Sequence, residues 1–261
     1  MSNNPVLTYY DVSPRVVAFS TTRHSGVSTG NYASFNINAY CGDAPDHVTA
    51  NCRSLATLLG IPEQHIIMPH QTHGTTIRRI DAPPTATIEA TDALMTQVPG
   101  LCIGVSTADC IPIIIYDPEH HAASAVHAGW RGTVQRIVCE TVRAMQREYQ
   151  SDPSQLRAII GPGISLESFE VGDEVYDQFE AAGFDMPLIS RRYAKWHLDL
   201  WTCNRLQLQQ MGLCPSHIAI DGTCTYQHAD LYFSARRLGI NSGRIFTGIL
   251  LQAAGTGVTA K

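Results

Sequence analysis

The sequence lacks the features that would direct a protein to a membrane, a secretory route or nucleic acid. None of its apolar runs reaches the roughly 18–20 residues that a transmembrane helix needs. The N-terminal stretch MSNNPVLTYYDVSPR lacks the basic start and apolar core of a secretory signal peptide. The net charge of −5 provides no basic field that would attract nucleic acid or an anionic membrane. We therefore expect a cytoplasmic protein that binds neither nucleic acids nor membranes.

Disulfide motifs are also missing. The eight cysteines are scattered along the chain and none of them forms a C-x-x-C pair. A chain of 261 residues is long enough to fold around a hydrophobic core without covalent cross-links. We therefore predict free thiols.

The composition that remains is that of a globular protein, with 44% hydrophobic and 16% charged residues. No repeat, low-complexity tract or linker divides the chain, which predicts a single domain over residues 1–261. Strands and helices interleave irregularly, with strand pairs between helices, which indicates a mixed α/β (α+β) domain of layered sheets flanked by helices. Strands are predicted within residues 15–22, 65–81, 100–105, 110–118, 120–130, 154–164 and 244–252; helices are predicted at 45–59, 133–150, 172–182 and, after a short strand, within 196–213.

Polar residues of metal-binding type concentrate in three short motifs. HQTHG contains His70 and His73, STADC contains Asp109 and Cys110, and AVHAGW contains His127. No local metal motif has these spacings, so a shared site would have to be built by the fold. If each residue ends a strand or begins the turn after it, neighbouring strands could bring all three together at one sheet edge. Two imidazoles and one thiolate form a competent zinc shell that leaves a fourth position open, as catalytic zinc sites do. Copper(II) accepts the same ligand types.

Other interpretations of these residues stay open at this stage. His127 could activate Cys110 as a thiolate nucleophile, or both could be ordinary core residues. His70 fits a structural or loop residue, and Asp109 fits either a turn former or a group that orients a ligand.

Arginines form a second cluster of candidates. Arg23 lies in a loop rich in glycine and serine, Arg131 follows the AVHAGW motif, Arg236 and Arg237 lie in SARR, and Arg244 follows a glycine. An arginine beside glycine suits bidentate binding of phosphate or carboxylate. The alternative for each is a solvated surface arginine.

The order of these motifs resembles that of the YfiH-type laccase-domain family. TTRHSGVSTG, SFNI, HQTHG, TADCIPIIIYDP, AVHAGWRGT, GPGI, FEVG, HLDL and CT…FSARR…GR follow one another from about residue 15 to 250, and ADCIPI followed by HAGWRGT is specific. Members are called polyphenol oxidases, or purine nucleoside phosphorylases with adenosine deaminase activity. The resemblance implies one α/β domain of layered mixed sheets flanked by helices, related to cysteine-hydrolase-like toxin domains.

The resemblance also implies roles for individual residues. His73, Cys110 and His127 match the metal-binding triad of the family, which selects His73 rather than His70 from HQTHG. Arg23 and Asn36 match positions near its nucleoside-binding pocket, and Arg131 lies where the family has a cation. The sequence departs from the family at RHSG, which replaces the usual double glycine after the arginine.

The function implied is phosphorolysis of adenosine, inosine and methylthioadenosine, together with adenosine deamination at a zinc site. Nucleoside and phosphate are the expected partners, zinc is the expected cofactor with copper as the alternative, and His73, Cys110 and His127 are the expected catalytic residues. Phosphorolysis needs a cationic phosphate site, for which Arg23, Arg131 and Arg236 are the candidates. The H-x-E and P-C-x-x-C signature of nucleobase deaminases is absent, so deamination would need a separately evolved site.

Three further functions compete with this one. A copper-dependent polyphenol oxidase would use the same His-Cys-His site, although multi-electron reduction of oxygen needs several coppers. A cysteine-type hydrolase would use Cys110 as nucleophile and His127 as base, on an amide such as a cell-wall precursor. A non-enzymatic scaffold stabilised by zinc is the third, and the open fourth ligand position argues against it.

Overall fold

The structure is a computed structural model that describes residues 4–253. Its β-strands, numbered along the chain, are β1 (Leu7–Tyr10), β2 (Val16–Thr21), β3 (Ile66–Ile67), β4 (Ile77–Arg79), β5 (Ala93–Thr96), β6 (Cys102–Thr107), β7 (Ile111–Asp117), β8 (Ala122–Ala128), β9 (Arg157–Ile160), β10 (Glu170–Val171), β11 (Ser190–Arg192), β12 (Trp196–Leu198), β13 (Ile218–Ile220) and β14 (Ile245–Leu251).

The helices lie between these strands. The α-helices are α1 (Pro45–Leu59), α2 (Trp130–Val134), α3 (Ile137–Tyr149), α4 (Asp173–Ala181), α5 (Met186–Ile189), α6 (Leu200–Gln210) and α7 (Ala235–Leu238), and short 3₁₀ turns occur at Gly30–Tyr32, Glu63–His65 and Pro215–His217. No helix within residues 4–253 combines the length and the apolar character needed to cross a bilayer.

Two large mixed sheets form the centre of the structure. The first has the strand order β1-β2-β14-β6-β3 and the second β13-β9-β7-β8-β5-β4, while β10-β12-β11 form a smaller sheet. Parallel pairs, such as β3 with β6 and β13 with β9, occur beside antiparallel pairs in both large sheets. The predicted mixed α/β class with layered sheets is confirmed.

Successive side chains of a strand point to opposite faces of the sheet, and this alternation explains the layers. Ile114 and Tyr116 of β7 belong to the same buried cluster as Ile103 of β6, so they pack between the two large sheets. Ile113 and Ile115 point to the opposite side and pack with the apolar faces of α3 and α6. A strand that is buried on both faces reads as a continuous apolar run, which is why IPIIIYD contains no polar residue before its end.

Helix α1 covers the outer face of the five-stranded sheet. Its Leu55 packs in one cluster with Phe19 of β2 and Phe246 of β14. Pro45 occupies the first turn, and Gly60 ends the helix with φ +68, a left-handed conformation that favours glycine. The predicted helix at residues 45–59 has these bounds.

The single helix predicted at residues 133–150 is wrong. The structure contains two helices, α2 and α3, separated at Arg136, whose φ is +63. The Arg136 guanidinium donates to the Ala182 carbonyl at 2.9 Å and stacks over the Phe184 ring, which holds the break in place. Because the apolar spacing continues across the break, periodicity alone does not reveal it.

Candidate metal and substrate site

Cys110 and His127 meet because they lie at the same end of two neighbouring antiparallel strands. Cys110 directly precedes β7, His127 lies near the end of β8, and the strand register pairs Pro112 with His127. Since alternate residues of a strand share one face, His127 points to the same side as Ala123 and Ala125, which pack between the two large sheets. The imidazole therefore lies at the edge of the space between the sheets.

His73 reaches this pair from the loop between β3 and β4. Its φ is +63, a conformation that residues other than glycine rarely adopt and that is found at functional sites. The ligand atoms of His73, Cys110 and His127 lie within 4.8 Å of one another. Over residues 4–253 this is the one group of three or more histidine, cysteine or carboxylate side chains placed to hold a metal ion. The structure therefore brings together the three predicted ligands.

Gly129 keeps the space among the three ligands open. A Cβ atom at this position would lie 3.0 Å from Cys110 Sγ, 3.0 Å from His73 Cδ2 and 3.8 Å from His127 Nε2. One thiolate and two imidazoles around a space that glycine preserves are the donor set of a zinc site with a free fourth position. The residues present therefore fit zinc, and copper(II) accepts the same atoms.

Replacing Gly129 by alanine should weaken metal binding while leaving the fold intact. The backbone of Gly129 (φ −66, ψ 170) is open to alanine, so the new Cβ acts only by displacing the thiol and the imidazole that it would touch. We expect the zinc affinity to fall about 10- to 100-fold, the range for disturbed outer-shell groups of a metal site. Competition with a chelator measures this change.

Gly172 provides the matched control. It has nearly the same backbone conformation (φ −77, ψ 165) and also precedes a helix. The three atoms nearest to a Cβ there all belong to the flexible Glu174 side chain. Gly172→Ala should leave the zinc affinity unchanged, and equal affinities for the two alanine variants would contradict the role assigned to Gly129.

Asp92, just before β5, connects the separate parts of the site. Its side chain is fully buried. Oδ1 accepts from His127 Nδ1 at 2.8 Å and from the His73 N–H at 2.9 Å, while Oδ2 accepts from the Gly74 N–H at 2.8 Å and the Thr72 N–H at 3.2 Å. The carboxylate thus fixes the His73 loop and leaves Nε2 of His127 facing the ligand space. Sequence reasoning missed Asp92; its one signal was an acidic residue beside a buried apolar run.

The electrostatics of the site favour a thiolate. Burial disfavours the charged form of Cys110, but the charges and hydrogen bonds of His127 and His73 outweigh it and lower the pKa of Cys110 to about 6. Burial also opposes protonation of His127, yet the Cys110 thiolate and the Asp92 carboxylate raise the pKa of His127 to about 9. A thiolate is the form in which cysteine binds metals and acts as a nucleophile.

A pocket of about 290 Å³ opens beside the three ligands. One wall is a closed polar network, in which Asn38 Nδ2 donates to Ser106 Oγ at 2.6 Å and Gln71 bonds both the backbone N–H and the carbonyl of Ser106. At the mouth, Tyr40 stacks on His70 with ring centroids 4.3 Å apart. The volume is near the lower end of the roughly 300–1,000 Å³ typical of small-molecule sites.

Arg23 and Asn36 are not among the residues that line this pocket. Arg23 joins two loops by donating from Nε to the Ala33 carbonyl at 2.8 Å and from Nη1 to the Ala229 carbonyl at 2.6 Å. Asn36 is fully buried and donates to Asp43 at 2.9 Å. These contacts shape the loops around the pocket, and direct substrate binding by either residue stays a prediction.

Of the other predicted arginines, Arg131 and Arg236 do not line the pocket. Arg131 is exposed and stacks over the Trp130 ring at 4.2 Å. Arg236 is exposed, and both of its Nη atoms donate to the Glu170 carbonyl at 3.2 Å. Arg244 does line the pocket. The structure therefore does not bring the predicted phosphate candidates together, and their role also stays a prediction.

Asp109 forms the turn before Cys110 and contacts none of the three ligands in a hydrogen bond within residues 4–253. Its carboxylate accepts from Thr225 Oγ1 at 2.7 Å and from the Arg236 N–H at 2.7 Å. With φ +87, it holds the left-handed turn that leads into β7. Of the two interpretations left open by the sequence, the contacts agree with the turn former.

Comparison with known proteins extends over nearly the whole chain. The sequence model of the family described as multi-copper polyphenol oxidoreductase laccase matches residues 17–252. A purine nucleoside phosphorylase from Bacteroides thetaiotaomicron is 46% identical, covering 90% of this chain and 91% of that protein. An adenosine deaminase, RL5, from an unknown prokaryotic organism is 39% identical, covering 90% and 93%.

Solved structures give the same result for the fold. The crystal structure of a hypothetical protein YfiH from Bacillus licheniformis superposes with a TM-score of 0.91 at 28% identity, covering 97% of this chain and 98% of that one. YlmD from Geobacillus stearothermophilus gives 0.87 at 32% identity, covering 92% and 93%. The YfiH-type resemblance in the motifs is thereby confirmed, and the chain belongs to the family of the multi-copper polyphenol oxidoreductase laccase, which includes these YfiH-type proteins.

Proposed function

We propose that the protein is a purine nucleoside phosphorylase that acts on adenosine, inosine and methylthioadenosine, and that it also deaminates adenosine at the His73–Cys110–His127 site. The observation that carries this proposal is a pocket of about 290 Å³ with a zinc-type ligand set on one side and amide and hydroxyl groups on another. Relatives named purine nucleoside phosphorylase and adenosine deaminase support the two activities.

Each residue of the site has a defined task in this proposal. Zinc held by His73, Cys110 and His127 would supply Lewis acidity and promote the ionisation of water near neutral pH. The Asp92 carboxylate accepts a hydrogen bond from His127 Nδ1, so Nε2 is the nitrogen of His127 that would bind the metal. In the Asn38–Ser106–Gln71 wall, the amide nitrogens of Asn38 and Gln71 each carry a second hydrogen beyond the bond to Ser106, and this hydrogen can pair with a base or a ribose.

The two reactions differ in their co-substrate, and this separates them experimentally. In phosphorolysis, a phosphate oxygen bonds to the anomeric carbon while the bond to the purine breaks, which gives ribose 1-phosphate and the free base. In deamination, water replaces the amino group of adenosine and ammonia leaves. A phosphorylase therefore needs a cationic site for phosphate, whereas the deaminase reaction has no phosphate to bind.

Incubation with inosine tests the proposal most directly. The zinc-loaded protein should release hypoxanthine and ribose 1-phosphate when inorganic phosphate is present, and neither product when it is omitted. Chromatography of the reaction mixture measures both products. Release of hypoxanthine with free ribose in the absence of phosphate would contradict phosphorolysis and indicate a hydrolase.

A cysteine-type amide hydrolase is the second candidate function. It is favoured by the order Asp92–His127–Cys110, in which a buried carboxylate orients a histidine beside a thiolate, as in nucleophilic triads. On this hypothesis the Cys110 thiolate attacks the carbonyl carbon of an amide substrate, such as a cell-wall precursor, and the C–N bond breaks. The amine leaves with a proton from His127, and water later removes the acyl group from Cys110. Acid quenching followed by mass spectrometry would detect that adduct.

Copper-dependent oxidation of phenols has less support from the ligands. The part of the chain that the structure describes offers one site of three ligands, whereas reduction of oxygen by several electrons needs more than one copper. Metal analysis after mild purification distinguishes the oxidase from the phosphorylase and deaminase. Bound zinc supports the phosphorylase and deaminase proposal, whereas bound copper together with measurable oxidation of phenols would favour the oxidase.

A further inference from the structure

The proposed phosphorolysis requires a cation in the pocket, and Arg244 is the lysine or arginine that meets this requirement. Among the residues the structure describes, it is the one basic side chain of either type in the pocket lining. No aspartate or glutamate from residues 4–253 lines the pocket. The lining therefore carries one permanent positive charge and no carboxylate that faces it.

The guanidinium of Arg244 is held in one orientation without losing its charge. Nη1 donates to the carbonyls of Ser242 at 2.6 Å and Gly243 at 3.0 Å, and Nη2 donates to the Ile240 carbonyl at 2.8 Å. These acceptors are neutral, and Arg244 forms no ion pair with another residue in 4–253. Its backbone N–H donates to Asn36 Oδ1 at 3.1 Å, which anchors the start of β14.

These bonds leave Nε and one hydrogen of Nη2 without an acceptor among residues 4–253. A guanidinium that keeps two N–H groups free can bind two oxygens of a phosphate. The free N–H groups of Arg244 are thus suited to an oxyanion.

Thr107 contributes an independent observation. It lines the same pocket and is 2% exposed, and its Oγ1 has no hydrogen-bond partner within the described part of the chain. An unpaired buried hydroxyl is unfavourable. Oγ1 is enclosed in the structure as described, so it would pair with an acceptor oxygen bound in the pocket once the Thr107 side chain turns toward that oxygen.

We propose that Arg244, with the Thr107 hydroxyl, binds the phosphate substrate, in place of Arg23, Arg131 and Arg236. This inference rests on the proposed phosphorolysis and names the anion subsite that the reaction needs. Arg244 binds two phosphate oxygens and orients the anion beside the nucleoside, while deamination of adenosine does not use it.

The test compares the zinc-loaded wild type with Arg244→Gln. We expect the KM for phosphate in inosine cleavage to rise at least about tenfold, since a charge-assisted bidentate contact is lost. Zinc content and the rate of adenosine deamination should stay within about twofold of wild type. If Arg244 only supported the turn at residues 240–244, its replacement would disturb the turn and lower both the zinc content and the deamination rate. Arg143→Gln, an exposed arginine on α3, is the control of equal charge change.

Two further variants keep the test decisive if Arg244→Gln does not fold. Arg244→Lys retains the positive charge but loses the planar guanidinium that can bind two oxygens at once, so it should give a KM for phosphate between those of wild type and Arg244→Gln. Thr107→Val should raise this KM about three- to tenfold, the effect of one hydrogen bond. Wild-type values in both variants would overturn the inference.

Binding of inorganic phosphate, measured as a rise in melting temperature against chloride at equal ionic strength, gives a readout that does not depend on turnover. Phosphate binding that is lost in Arg244→Gln supports the anion site even if inosine is not cleaved, in which case only the proposed function fails. Cleavage of inosine with an unchanged KM for phosphate in Arg244→Gln overturns the anion site and leaves the function standing. A wild type that neither binds phosphate nor cleaves inosine overturns both.

Discussion

Replacing Cys110 by serine is expected to lower the zinc affinity of the protein by more than about 100-fold, beyond the range for outer-shell groups, because it removes one of three protein ligands. The pKa of Cys110 is lowered to about 6 by its two histidine neighbours against the effect of burial, so at neutral pH the metal meets a preformed thiolate. A serine hydroxyl in the same place stays protonated. Zinc content of the purified protein, measured by elemental analysis, checks this prediction.

Both proposed activities should fall with the zinc content of Cys110→Ser. Cys214→Ser makes the same chemical change at a half-buried cysteine that lies outside the pocket and contacts Ser216, so it should bind zinc normally. If Cys110→Ser instead retained nearly one zinc per chain while losing activity, Cys110 would be a nucleophile rather than a ligand. An acyl adduct on the wild-type thiol would then be expected.

The meeting of Cys110 and His127 could be predicted from the sequence for a physical reason. The apolar runs on either side of the turn YDPEHH predict two neighbouring antiparallel strands, so a residue at the start of one and a residue at the end of the other lie at the same edge. Hydrophobic pattern and turn chemistry are local signals, and they suffice for this pair. His73 comes from a loop, and its selection over His70 depended on the family resemblance.

The role of Asp92, which connects the separate parts of the site, could not be predicted in the same way. Asp92 lies 19 residues from His73 and 35 from His127, and its role depends on four donors from two segments converging on one buried carboxylate. The arginines illustrate the same limit. The sequence shows that Arg131 and Arg244 lie beside glycines, but the direction of each side chain is set by tertiary contacts, and only Arg244 of these two lines the pocket.

Asp92→Asn should weaken both the metal site and the fold. The amide keeps the size of the side chain but replaces one acceptor by an NH₂ group, which would face an N–H donor of His127, His73 or Gly74. Removing one partner from a buried charged network is costly, and we expect the free energy of unfolding of the metal-free protein to fall by about 2–4 kcal/mol. Denaturant titration of chelator-treated protein measures this change.

The zinc affinity of Asp92→Asn should fall about 10- to 100-fold, as for other carboxylates that orient a metal-bound histidine. Asp117→Asn separates this effect from general destabilisation. Asp117 is also buried and accepts from the backbone N–H groups of Glu119 and His120, but it lies at the opposite end of β7 from Cys110. Its asparagine variant should lose stability and keep the zinc affinity of the wild type. Equal zinc affinities in both variants would mean that Asp92 supports the fold alone, whereas a loss confined to Asp92→Asn would place it in the orientation of His127 and the His73 loop.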